Sequence, residues 1–292
     1  MPPVFDLHCD TPIKIHEHTS GHLNTATLKK DGYCGAVFAH FVPPGSKQPF
    51  VDAVKLLTST LDYLKDLPGV SLMRNYRDFE TSRLNILVGV EGGHIFDRNS
   101  KQIEVLFEMG ARVFTITWNN SNRLAYSALE SDNKGLTARG RDLLKVLAAL
   151  DAIIDVSHAS TRTVQDICER YEGKVIASHS CLRVFNPRFL RNIDDQAVRS
   201  IADRGGVVGI NISRYHLGTG TPFEHFDYLK THFGDTVPAF GSDFDGIDDP
   251  VIAGPEKVQD IAIEAKRRGF GASTIEGFFS GNFLRLIRKN NS

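Results

Sequence analysis

Two kinds of apolar pattern alternate along the chain. Short runs rich in β-branched residues are apolar almost throughout, and longer stretches between them repeat their apolar positions every three or four residues. The first kind reads as strands buried on both faces, the second as amphipathic helices. Strands are predicted at VFDLH (4–8), GAVFAHF (35–41), NILVGVE (85–91), RVFTITW (112–118), AIIDVSH (152–158), KVIASH (174–179), GVVGIN (206–211) and VPAFGSD (237–243). SLMRN (71–75) is a further short strand candidate. Helices are predicted over VDAVKLLTSTLDYLKDL, TARGRDLLKVLAAL, STRTVQDICERY and DDQAVRSIADRG; the first sets Val51, Val54, Leu57, Thr58, Leu61 and Leu64 on one stripe. The last opens on acidic residues and closes on glycine, the usual helix punctuation. Eight strands joined by helical crossovers predict a TIM-like (β/α)8 barrel, with a doubly wound open sheet as the alternative. No repeat or linker divides the chain, so residues 1–292 read as one domain.

Composition changes this picture little. With 41% hydrophobic and 24% charged residues over 292 positions, the chain can bury a full core. A net charge of −1 gives no reason to expect nucleic acid or an anionic membrane as partner. Cys9, Cys34, Cys168 and Cys181 show no CxxC spacing, which favours reduced thiols and a cytoplasmic setting. The first strand starts at Val4 with no room before it for a signal peptide, and no run of 18 uncharged apolar residues predicts a membrane span. The C-terminal RLIRKNNS is polar and carries no lipid-anchor signal.

Candidate chemistry gathers where the predicted strands stop, the face on which such barrels act. Those ends carry His8 and Asp10, His40, Glu91, Trp118, His158, His179, Asn211 and Asp243. Desolvating so many ionisable groups together is costly unless they pair or bind metal. Imidazole and carboxylate without thiolate suit Zn²⁺ or a related divalent ion. Three histidines and three carboxylates exceed the needs of one tetrahedral zinc, so two Zn²⁺ ions with Glu91 as bridge are expected. Such a pair, about 3.5–4 Å apart, can share a hydroxide and polarise a substrate oxygen. Asp243 is the candidate general base and acid. Asp245, two residues on, reads as turn chemistry before Gly246 or as a substitute for it. His40 and His94 read as packing residues, and His16, His18 and His22 as a solvated loop or helix start rather than a metal tract.

The stretches DLHCDTP, VGVEGGH, IIDVSHAS, VIASHS, RNIDDQAVRSIADRGGVVGIN, GSDFDG and GNFLRL, in this order from residue 6 to 286, resemble the zinc membrane dipeptidase (renal dipeptidase) family of amidohydrolase-like barrels. The resemblance implies a zinc metallodipeptidase with His8, Asp10 and Glu91 on one metal. Glu91 would bridge to a second metal completed by His158 and His179. It further implies Asp243 as the acid/base carboxylate and Arg191 as the arginine that holds the substrate's carboxylate, with Arg183 and Arg188 as nearby competitors. The substrate would be a dipeptide with L or D configuration open at its second residue. The resemblance also allows a homodimer.

One position departs from the family pattern. Mammalian members carry a substrate-contacting histidine after the fourth strand, where this chain has Trp118 in FTITWNNSNRL. An indole donates one N–H but carries no proton in catalysis. Trp118 therefore reads as a pocket wall, with Asn119 or the metal supplying the lost stabilisation. The alternatives are a related amidohydrolase acting on N-acyl-amino acids or lactones, and a catalytically silent metal-binding homologue.

Overall fold

The computed structural model describes residues 1–288; residues 289–292, the end of the polar C-terminal run, lie outside the described residues. Nine parallel strands form one sheet: β1 (Val4–Cys9), β2 (Tyr33–Phe41), β3 (Val70–Met73), β4 (Leu84–Glu91), β5 (Ala111–Thr115), β6 (Ile153–Asp155), β7 (Lys174–Ala177), β8 (Val207–Ile210) and β9 (Pro238–Phe240). Pairing runs β1-β2-β4-β5-β6-β7-β8-β9. A parallel bridge between Cys9 and Phe244 brings the ends of this path together. The result is the eight-stranded, nearly closed (β/α)8 barrel that the alternating pattern predicts. The extra strand β3 pairs with Leu84–Leu87 of β4, while β5 takes over from Val88 onward, so both share one edge of β4.

Two apolar layers hold the barrel. Between strands and outer helices lies a large cluster that includes Phe38, Ile86, Phe114, Ile154 and Phe240. Inside the barrel, Phe5, Leu87, Val113, Ile153, Ile176 and Val207 meet Phe283, Leu286 and Ile287 of the last helix, Asn282–Arg288. That helix stops the bottom of the barrel, with Phe283 against Phe5 at 5.0 Å between ring centroids. The opposite end stays open for chemistry.

The helix Pro49–Lys65 buries Ala53, Leu56, Leu57, Thr60 and Leu64. This face is rotated from the predicted stripe, and Val51 and Thr58 are exposed. Small Ala53 and Thr60 lie on the buried face. No helix among the described residues is long and apolar enough to cross a membrane.

Candidate active site

Most predicted strands run past the residue where the ladder ends. β6 stops at Asp155 and β9 at Phe240, three residues before His158 and Asp243. There the chain leaves the sheet: His158 takes φ 68° and Asp243 φ 63°, a left-handed conformation unusual for residues other than glycine. Such strain persists where the surroundings fix it, and functional sites are the common place. Gly246 completes the turn above them, because a Cβ there would collide with the carboxylates of Asp10 and Asp243.

Glu91, the last residue of β4, lies at the centre. Its Oε2 is 3.6 Å from His8 Nε2, and its Oε1 is 3.1 Å from His158 Nε2 and 3.6 Å from His179 Nε2. His8 Nε2 is in turn 3.5 Å from Asp10 Oδ2. Of the three buried groups among the described residues with ligand-type atoms within 4.8 Å of one another, two flank Glu91: Glu91, His158 and His179 in one, His8, Asp10 and Asp243 in the other. Each oxygen of Glu91 faces one of them. Asp10 Oδ1 is buried without a hydrogen-bond partner, and His8 Nε2 and Glu91 Oε1 are buried facing only other members of the cluster. Leaving such atoms unpaired costs about 1–3 kcal/mol each, and a divalent ion with nitrogen and oxygen ligands would satisfy them. The donor set fits a metal.

Charges in the cluster are tightly linked. Burial opposes the charged form of every member, but the attraction of Glu91 and contacts with Asp10 raise His8 well above the usual histidine range. Burial likewise opposes ionisation of Glu91, yet His8 and His158 hold it below the usual carboxylate range. Burial first, and then the guanidinium of Arg191, lowers His158 to about 4. Asp243 is pushed well above the carboxylate range by burial, with Asp10 and Glu91 adding to the shift. In the metal-free cluster that carboxyl holds its proton more tightly than a free aspartate does.

A cavity of about 300 Å³ opens above this cluster, lined by Phe41, Trp118, Arg191, His216 and Asp243 among others. Arg191 is buried; its Nε lies 2.9 Å from His158 Nδ1, its Nη1 donates to Ser180 Oγ and its Nη2 to the His179 carbonyl. Arg183 has other work: it donates to Asp132, Asp194 and the carbonyls of Leu190 and Asn192, clamping the loop on both sides of Arg191. Arg188 lies in a separate surface groove. Trp118 stacks near Phe41 (4.8 Å between centroids) as part of the cavity wall. Asn119 turns its Oδ1 to His158 Nδ1 at 2.8 Å, so its contact is with a histidine of the cluster.

The remaining candidates are placed elsewhere. His40 donates from Nδ1 to the Gly89 carbonyl, and His94 contacts the Val42 carbonyl through Nε2. Asp245 accepts from Thr11 Oγ1 and the His22 backbone, tying the loop after β1 to the loop after β9. His16 meets Ser59, and no potential metal group among the described residues includes His16, His18 or His22. Sequence reasoning missed His216, whose Nδ1 meets the Asn211 amide and whose ring packs on Phe189 beside the cavity. The only signal was its place five residues after the end of GVVGIN. It also missed Asp155 and Ser178, which are buried and hydrogen-bonded to each other.

A model of the membrane dipeptidase family (peptidase family M19) matches residues 1–292. The chain belongs to that family. It is 27% identical to dipeptidase 3 of Rattus norvegicus across 98% of its own length and spans 65% of that protein. An uncharacterised protein from the pqqA 5′ region of Klebsiella pneumoniae is 30% identical over 81% of this chain and 97% of its own length. Among solved structures, a Rhodobacter sphaeroides metallopeptidase liganded with a phosphinate mimic of L-Ala-D-Ala superposes with a TM-score of 0.89 at 20% identity, covering 98% and 99% of the two chains. That likeness is one of fold.

Proposed function

We propose that this member of the family is a metallodipeptidase whose cluster holds two Zn²⁺ ions, one among His8, Asp10 and Glu91, the other among Glu91, His158 and His179. The observation that carries the reading is the central Glu91, one oxygen toward each group, beside buried ligand atoms that lack any other partner. When bound, the metal pair supplies a water of lowered pKa and a Lewis acid for the scissile carbonyl.

The chain's own residues do the rest. Each Nη of Arg191 spends one N–H within the protein, on Ser180 Oγ or the His179 carbonyl, and keeps one for the substrate's C-terminal carboxylate. Asp243, as the carboxylate, takes a proton from the attacking water and delivers it to the departing amine. Trp118 and Phe41 wall the cavity, and its volume of about 300 Å³ suits a dipeptide rather than a longer chain. The four cysteines are free and buried, which supports a cytoplasmic location.

The test is hydrolysis by the zinc-loaded protein of L-Ala-L-Ala and of L-Ala-D-Ala, the latter because the Rhodobacter enzyme holds a mimic of it. Cleavage of either that disappears in His158→Ala supports the reading. A folded, zinc-loaded protein that cleaves neither would overturn it.

A further inference from the structure

The face of the cluster turned away from the cavity is organised by a single hydroxyl. Ser178 Oγ lies 3.2 Å from His8 Nδ1, 2.8 Å from His179 Nδ1 and 2.7 Å from Asp155 Oδ2. Ser157 Oγ, at 3.3 Å, is its longest contact. All of these residues are buried. His8, His179 and Asp155 also bring ligand-type atoms within 4.8 Å of one another, as an ion site would, but Ser178 Oγ already bonds to all three.

The hydrogen positions follow from valence. Asp155 accepts at Oδ1 from the backbone N–H groups of Ser157 and Ser178, and at Oδ2 from Thr115 Oγ1 and Ser178 Oγ. A hydroxyl has one proton to give, so the proton of Ser178 goes to Asp155 and its oxygen can only accept from the two imidazoles. Both rings must then carry hydrogen on Nδ1, and each turns its Nε2 into the cluster, that of His8 3.6 Å from Glu91 Oε2 and that of His179 3.0 Å from His158 Nε2 and 3.6 Å from Glu91 Oε1. That tautomer is the one a metal ligand needs.

We propose that Ser178, oriented by Asp155, is the shared positioning residue of the two metal sites, fixing one histidine of each. His8 stands in one group and His179 in the other, 3.8 Å apart between ring centroids. One hydroxyl thereby couples two affinities. Losing it frees both rings to rotate and to take the wrong tautomer, so both sites weaken together. The inference rests on the two-metal reading above, and its readout is metal binding rather than turnover.

Zinc is titrated into the metal-free full chain against a competing chelator, for wild type, Ser178→Ala and Asp155→Asn. In the asparagine variant an amide N–H replaces the acceptor at Oδ2, so the Ser178 proton must turn toward an imidazole. Wild type is expected to bind two zinc ions, and both dissociation constants are expected to rise about 10–100-fold in each variant. The d–d spectrum of the Co²⁺-substituted protein should change in parallel. Far-UV circular dichroism of the metal-free variants shows which are folded, and the isosteric asparagine variant carries the test if the alanine variant is not. Weakening at one site alone, constants within twofold of wild type in a folded variant, or a single zinc per wild-type chain would each overturn the proposal. Two tightly bound zinc ions in a protein that cleaves no dipeptide would overturn the proposed function and leave this inference standing.

Discussion

Asp243 is proposed to carry the chemistry most exposed to a single substitution. Its carboxyl is buried, its pKa raised, and its backbone held at positive φ. Asp243→Asn keeps the shape and removes the proton, so kcat for a dipeptide should fall by about 10²–10⁴, with zinc content by elemental analysis close to wild type. A fall of less than tenfold would move the acid/base role elsewhere. Arg191→Lys tests the other end of the substrate: a lysine loses the planar fork. KM for L-Ala-L-Ala should rise while KM for its C-terminal amide stays level; equal rises for both would contradict carboxylate binding. That His8, Asp10, Glu91, His158, His179 and Asp243 gather in one buried cluster was legible in the sequence, because ionisable side chains at the ends of several apolar strands are too costly to bury for packing alone. Ser178 and His216 were not. A serine beside a histidine looks like filler until β1, β6 and β7 converge on it, and a histidine in a loop declares nothing before the loop folds back.

Strands and helices were legible as elements, and their ends were not. The apolar pattern of AIIDVSH continues through His158, but β6 ends at Asp155 because the following residues turn to deliver a side chain instead of a ladder bond. Patterning records burial, and both the strand and its catalytic extension are buried. The loop from Ser180 to Asn192 carries Arg191 without regular structure of its own beyond one short turn, Arg183–Phe185. Arg183 holds it through two carboxylates and two carbonyls. Arg183→Met should cost about 1–3 kcal/mol of stability, since hydrogen bonds to charged groups are lost, and should raise KM more than it lowers kcat. Urea melts and dipeptide kinetics on the same preparation check both parts; an unchanged KM would mean that Arg191 keeps its place without the clamp.

The whole molecule is a barrel closed below by its last helix and charged above. Removing the stopper's anchor, Phe283→Ala, should cost about 3–5 kcal/mol, read as a lower urea midpoint with unchanged slope. Acid should weaken the fold through histidines that must stay neutral. Burial lowers His40 and His225 to about 4, and His225 uses both ring nitrogens, one accepting from the Leu182 N–H and the other donating to the Leu217 carbonyl. Because these values lie below about 6.5 for an unfolded histidine, the unfolded chain binds protons first. Stability is therefore full above pH 6.5 and falls between 6.5 and 4, by up to about 1.4 kcal/mol per pH unit for each histidine. His225→Asn, which keeps the acceptor and removes the titration, should flatten that slope in urea melts of the metal-free protein; an unchanged slope would locate the proton uptake elsewhere. At the centre of the molecule, two metal ions shared by Glu91 are proposed to make one catalytic unit, and the most direct test adds zinc stepwise to metal-free protein while following L-Ala-L-Ala hydrolysis. Activity should climb to a plateau at two zinc ions per chain and be lost in Glu91→Gln. A plateau at one, or turnover without metal, would contradict a shared two-metal unit.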